Sequence, residues 1–113
     1  MTRAEAVVQR QLDAYNARDL ERFLAQYNND VAVYRPPATE PSIAGKPAFR
    51  EFYASQRFNR PALHADLVKR IVLGNKVIDH ERISGVRDTS FEVAVVYEVV
   101  DGLIRCMWSY AAD

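Results

Sequence analysis

Asp79, His80 and Glu81 form a dense group of acid–base side chains in the sequence. Neighbouring residues of a β-strand point to opposite faces, so Asp79 and Glu81 share one face and His80 lies on the other, with Ile78 and Arg82. This alternation argues against a metal site in the run. His80 alone is a candidate general acid or base, since the reference pKa of histidine lies near neutrality. The alternative is a structural histidine bonded to a neighbouring residue.

Arg35 is the second candidate catalytic residue. It ends a short apolar stretch and precedes the one long loop of the sequence, residues 36–44. A guanidinium that points inward needs an anion, because a buried unpaired charge is very unfavourable. Arg35 could then hold the carboxylate or enolate of a ligand. The alternative is that its side chain extends outward into solvent or pairs with Glu40.

Three helices and one strand are predicted to precede a run of long strands. Apolar residues at helical spacing over 4–15 predict the first helix, and Asp19 is suited to cap a second over 20–27. Residues 31–35 alternate as a short strand. Gly45 then marks the start of a third helix. Helices that line one face of a sheet tend to close a pocket.

From His64 onward the sequence is typical of strands. Residues 74–75 (Gly-Asn) and 101–102 (Asp-Gly) are two-residue turns, and Asp-Gly is a strong hairpin signal. Neither an internal repeat nor a domain boundary is visible, so residues 1–113 form one predicted domain.

The two turns fix the predicted register of each hairpin. Arg70 then faces Asp79 across the first, and Glu98 faces Arg105 across the second. Opposite charges in both pairs support these registers, since such cross-strand pairs are mildly favourable.

The last hairpin has two unlike predicted faces. One is too apolar to face water and must pack on helices or a second subunit. The other is mixed, as a pocket wall or a wet surface would be. The apolar face comprises Phe91, Val93, Val95, Tyr97, Val99, Ile104, Cys106, Trp108 and Tyr110, and the mixed face includes Met107.

Composition bounds the function further. The chain has 113 residues, 49% of them apolar, and its 15 basic and 15 acidic side chains cancel. Without a basic stripe we expect no nucleic-acid partner, and without a long apolar run no membrane span. No apolar leader is visible, and the single Cys106 suits a reducing compartment. We therefore expect a soluble, cytoplasmic protein with no metal and no cofactor.

The segments YNARDLERFLAQYNNDVAVY (15–34), GKPAFREFY (45–53) and VVYEVVDGLIRCMWSY (95–110) resemble the nuclear transport factor 2-like superfamily, which includes SnoaL-like cyclases and ketosteroid isomerases. RIVLGNKVIDHERISG (70–85) is similar to a bacterial subfamily often labelled steroid isomerase. The resemblance implies an α+β, cystatin-like cone: a curved antiparallel sheet packed on three N-terminal helices, with an internal pocket. It also implies a homodimer through the outer sheet face.

Ketosteroid isomerases use a carboxylate base and an oxyanion hole made of a tyrosine and a protonated aspartic acid. Matched to this sequence, the base position falls on Arg35, which cannot take a proton, and the oxyanion tyrosine falls on Gln11. The acid position falls near Ala94. Two supporting tyrosines of the family match Tyr27 and Tyr53.

These observations lead to two hypotheses. The first is a cofactor-independent isomerase, cyclase or dehydratase that acts on a small apolar molecule with a polar handle. Its predicted catalytic residues are His80 and Arg35, and its predicted pocket residues are Gln11, Tyr15, Tyr27, Tyr53 and Met107. The second is a non-catalytic dimeric module for ligand binding or protein interaction. In both, the predicted dimer face carries Tyr97, Trp108 and Tyr110.

Overall fold

The structure is a computed structural model, and it describes residues 1–112. Three helices and six strands follow the predicted order, with one added two-residue strand. The elements are α1 (Arg3–Asn16), α2 (Leu20–Leu24), β1 (Tyr27–Tyr34), β2 (Ile43–Ala44), α3 (Lys46–Gln56), β3 (His64–Leu73), β4 (Lys76–Ser84), β5 (Phe91–Val100) and β6 (Leu103–Ala111).

All six strands belong to one sheet in the order β2-β1-β6-β5-β4-β3. Every neighbouring pair is antiparallel except β1 and β6, which run parallel. The helices cover the inner face of this curved sheet, so the predicted α+β cone is confirmed. Across residues 1–112, none of the helices combines the length and the apolar character that a bilayer crossing requires.

Side-chain caps define the starts of the first two helices. The Thr2 hydroxyl accepts a hydrogen bond from the Glu5 amide at 3.1 Å, and the Asp19 carboxylate accepts one from the Arg22 amide at 3.1 Å. Such caps satisfy amides that have no partner inside the helix. The predicted extension of the second helix to Tyr27 is wrong. Tyr27 begins β1 instead, because this segment pairs with β6.

The first predicted hairpin register is confirmed. Residues 74–75 form the turn, and Arg70 lies opposite Asp79. The second turn, residues 101–102, is also as predicted, but Glu98 lies opposite Cys106 rather than Arg105. An irregularity in the pairing after Glu98 places the extra residue in β6. Such a bulge shifts all later side chains of a strand by one position.

The bulge changes the faces of the last hairpin. Tyr97 points inward and is 3% exposed, opposite Met107. Trp108 and Tyr110 point outward, opposite Val96 and Ala94. The prediction that Tyr97 shares a face with Trp108 and Tyr110 is therefore wrong. Of these three residues, Trp108 and Tyr110 lie on the outer face and Tyr97 lies on the inner face.

Candidate functional site

The curved sheet and the helices enclose a cavity of about 260 Å³. It opens where β1, β4 and β6 end and β5 begins. Apolar side chains form most of its wall, and a few polar groups converge on it, as is usual in ligand pockets. Residues on the wall include Gln11, Leu12, Tyr15, Val33, Arg35, Phe52, Tyr53, Arg57, Glu81, Ile83, Arg87, Phe91, Val93, Val95, Tyr97 and Met107.

Glu81 is the buried acid of this cavity. It points inward from β4 and is 5% exposed. Within residues 1–112 its Oε2 atom is buried without a hydrogen-bond partner. Burial, and after it the negative charge of Asp79, raise its pKa from 4.5 to about 8, and the positive charge of Arg70 opposes the rise. The group is therefore a neutral acid near pH 7 and becomes a desolvated base slightly above it.

Asp79 lies on the same face but is fully paired. Arg70 donates two hydrogen bonds to its carboxylate, at 2.7 and 2.9 Å, and a third to Gln9 Oε1 at 2.8 Å. Glu5 lies 3.7 Å from the same guanidinium. The two acids of the strand thus differ in chemistry: one is held in an ion pair, and Glu81 remains available to a ligand.

A hydrogen-bonded chain crosses the inner end of the cavity. The Tyr27 hydroxyl donates to Gln11 Oε1 at 2.9 Å, and Gln11 Nε2 donates to the Tyr97 hydroxyl oxygen at 3.3 Å. Burial first, and then the charge of Glu81, raise the pKa of Tyr97 well above its usual value. Tyr97 therefore keeps its proton and can donate it in a hydrogen bond to a ligand oxygen.

Arginines and aromatic rings form the mouth. The guanidinium carbons of Arg35 and Arg57 lie 5.9 and 5.2 Å from the centre of the Phe52 ring. Desolvation raises the pKa of Tyr53 to about 12, and both arginines oppose the rise. Arg35 thus lines the cavity at its entrance, as an exposed residue rather than a buried one.

His80 does not line the cavity, which argues against its prediction as a general acid or base; the structure shows the alternative, a histidine bonded to a neighbouring residue. It lies on the outer face of β4 with its side chain 44% exposed, 2.5 Å from Glu92 Oε1. The strand alternation was predicted correctly, but the inner face belongs to Asp79 and Glu81.

The predicted pocket residues divide into two groups. Gln11, Tyr15, Tyr53 and Met107 line the cavity. Tyr27 lies behind Gln11 and packs against Phe23 and Phe49. Its hydroxyl reaches the cavity only through the Gln11 amide.

Glu81 is the candidate residue of the cavity that sequence analysis missed. A signal was present: the face of β4 that holds Asp79 and Glu81 also holds Val77 and Ile83, whereas His80 shares its face with Arg82. In addition, the predicted Arg70 partner neutralises Asp79 and so permits that face to be buried. Among residues 1–112, no cluster of three His, Cys, Asp or Glu side chains is placed to hold a metal ion.

The pattern that defines the SnoaL-like domain matches residues 8–107. The chain belongs to the SnoaL-like domain family. The predicted nuclear transport factor 2-like superfamily is thereby confirmed, and its fold is consistent with binding of a small molecule.

Solved structures agree with this fold. The SnoaL-like chain is 21% identical to a candidate ketosteroid isomerase from Kribbella flavida, with a TM-score of 0.83 and coverage of 98% of this chain and 78% of the other. An uncharacterised cystatin-fold protein from Novosphingobium aromaticivorans is 20% identical (TM-score 0.83, coverage 96% and 97%). An LEH-like epoxide hydrolase from Mycobacterium tuberculosis is 19% identical (TM-score 0.81, coverage 96% and 82%).

Proposed function

We propose that this SnoaL-like domain is a small-molecule enzyme that moves a proton on an apolar substrate with one polar handle. The observation that carries the proposal is Glu81, a buried carboxyl group of the cavity wall without a hydrogen-bond partner at Oε2. A pKa of about 8 suits a residue that both donates and accepts protons near neutral pH.

The proposed step is proton abstraction next to a carbonyl group. The ionised Glu81 takes the proton, the C–H electron pair moves into an enolate, and the enolate oxygen accepts a hydrogen bond from Tyr97. The neutral Glu81 then returns the proton to another carbon, which completes an isomerisation, or protonates a departing hydroxyl, which completes a dehydration. A preorganised donor aimed at the developing oxyanion is a major source of rate enhancement.

The volume of the cavity narrows the substrate class. The cavity volume of about 260 Å³ is slightly smaller than that of pockets for drug-sized ligands, which measure roughly 300–1,000 Å³. We therefore infer a substrate of one or two fused rings rather than a larger skeleton.

Hydrogen exchange on 2-tetralone, a bicyclic ketone, tests the proposal without knowledge of the natural substrate. We expect the protein to speed the loss of the α-proton NMR signals in D₂O, with a rate that rises as Glu81 ionises around pH 8. Glu81→Gln should lower the exchange by at least about a hundredfold, since positioned acid–base groups contribute roughly 10²–10⁴. His80→Gln, a change one residue away on the outer face, is the matched control and should retain exchange. Equal rates with and without protein, or loss in the control alone, would refute the proposal.

We also propose a homodimer through the outer face of the sheet. Five apolar side chains form one continuous row across five strands, because each lies opposite the next: Tyr34, Trp108, Val96, Ile78 and Ile71. The Tyr34 and Trp108 rings stack at 5.8 Å, and Ile71 is 56% exposed. A continuous apolar row of this kind is typical of an interface, and a two-fold axis would pair it with itself.

Trp108→Glu tests the dimer. A charge in the middle of the row would be desolvated on association, so we expect a dimer for the wild type and a monomer for the variant, both folded. Light scattering coupled to size exclusion measures the mass, and circular dichroism checks the fold. Arg105→Glu, on the same strand outside the row, should remain dimeric. A monomeric wild type at micromolar concentration would contradict this proposal.

A further inference from the structure

Three cationic side chains surround the mouth of the cavity. Arg35 follows the end of β1, Arg57 follows the end of α3, and Arg87 lies in the loop between β4 and β5; all three line the cavity. Within residues 1–112, the ion pairs of arginine are all made by other arginines.

Aromatic rings hold these guanidinium groups in place of acids. Arg35 and Arg57 both lie against Phe52, and the guanidinium carbon of Arg87 lies 4.0 Å from the centre of the Phe91 ring. Stacking on a ring orients a guanidinium without neutralising its charge. Arg57 Nη1 donates to the Gln56 carbonyl oxygen at 2.9 Å, and no acid pairs with any of the three guanidinium groups within residues 1–112. Their charge therefore remains available to an anion that arrives from solvent.

Inside the cavity that residues 1–112 form, no negative charge repels an anionic ligand near pH 6. The acid of the wall, Glu81, is uncharged near pH 6 because of its raised pKa, so it does not repel a negative ligand there. The remaining wall is mostly apolar. The cavity thus has a cationic entrance, an apolar middle and hydrogen-bonding groups inside.

We propose that the arginines at the mouth select an organic acid, whose carboxylate stays at the entrance between Arg35, Arg57 and Arg87 while its apolar ring system fills the cavity. The proposal rests on the proposed function and names the substrate class of the same site: a small cyclic acid with its reacting group at the far end from the carboxylate. Arginine suits this task because its planar fork matches a carboxylate with two parallel hydrogen bonds. The C-terminal end of α3 also lies at the mouth, and its partial negative charge favours the guanidinium groups and opposes any anion, so the three arginines must outweigh it.

Calorimetry with 2-naphthylacetate and its neutral amide, 2-naphthylacetamide, tests the inference near pH 6 and at low salt. We expect the acid to bind at least about tenfold more tightly than the amide, and the difference to shrink at high salt because partly exposed charges are screened. Arg57→Gln and Arg87→Gln should each reduce the preference several-fold. Arg105→Gln, at the opposite end of β6, is the control and should keep it.

Equal affinity for the acid and the amide, or no binding of either compound, would overturn the inference. Both are distinguishable from failure of the proposed function, because Glu81→Gln should retain the preference for the acid while losing exchange on 2-tetralone. Tight binding of the amide alone would leave the proton-transfer proposal intact and refute the anionic substrate class.

Discussion

Glu81→Gln is expected to make the protein more stable than the wild type at pH 8 while it abolishes proton exchange. Burial raises the pKa of Glu81 from 4.5 to about 8 in the folded state, whereas in the unfolded chain the group ionises near its usual value. Between these two values the folded protein holds a proton that the unfolded protein has released. The free energy of unfolding of the wild type must therefore fall as the pH rises through this window.

The size of the effect follows from the same linkage. Each pH unit inside the window lowers the stability of the wild type by on the order of 1 kcal/mol relative to the variant, and the difference levels off above the folded-state pKa. Near pH 4 the two proteins should be about equally stable, because glutamine resembles the protonated acid. Urea denaturation across the pH range measures this difference.

Glu92→Gln is the matched control for the pH series. Glu92 is on the outer face, and its hydrogen bond to His80 lowers its pKa rather than raising it. Glu92→Gln should therefore not stabilise the protein at pH 8 as Glu81→Gln does. If Glu81→Gln were no more stable than the wild type at pH 8, the acid would not be desolvated and its proposed role would lose its basis.

Arg70→Met is expected to give the largest loss of stability of any single change discussed. The side chain of Asp79 is 0% exposed and that of Arg70 is 9% exposed, so the variant leaves a buried carboxylate without its cation. Removing one partner of a buried ion pair typically costs about 3–5 kcal/mol. Because Arg70 also opposes the rise in the pKa of Glu81, the exchange rate should shift to higher pH in any folded fraction.

The double variant Arg70→Met/Asp79→Leu separates the charge from the packing. With both charges removed, most of the lost stability should return, since apolar replacements of buried pairs are often neutral or better. Arg50→Met, which breaks the exposed ion pair with Glu21, is the control and should change the free energy of unfolding little. If Arg70→Met were as stable as the wild type in urea, the pair of Arg70 and Asp79 would contribute nothing to the free energy of unfolding.

Local sequence signals were sufficient for most of the architecture. The Asp19 cap, the Asp-Gly turn and the pairing of Arg70 with Asp79 each depend on residues close in the chain, and each appears as predicted. The end of the second helix does not follow from local pattern. Tyr27 fits the helical stripe equally well, and only pairing with β6, far along the chain, places it in a strand.

Two non-local features limited prediction of the site. The irregularity after Glu98 has no obvious sequence signature, yet it sends Trp108 to the outer face and leaves Tyr97 inside. Similarly, alternation divides Glu81 from His80 but does not say which of the two faces the helices. That choice depends on how the whole sheet curls, and it decides which of the two residues faces the cavity.

The ionisation of Glu81 decides whether this residue can act as the acid and base of the cavity. Carboxyl ¹³C NMR on protein labelled at glutamate, with Glu81→Gln to assign the resonance, follows this group alone through a pH titration. We expect a midpoint near pH 8 for Glu81, well separated from the midpoints of the exposed glutamates. A midpoint near 4.5 would mean that the group is hydrated and charged at neutral pH, and it would contradict the assignment of Glu81 as the acid and base of the cavity.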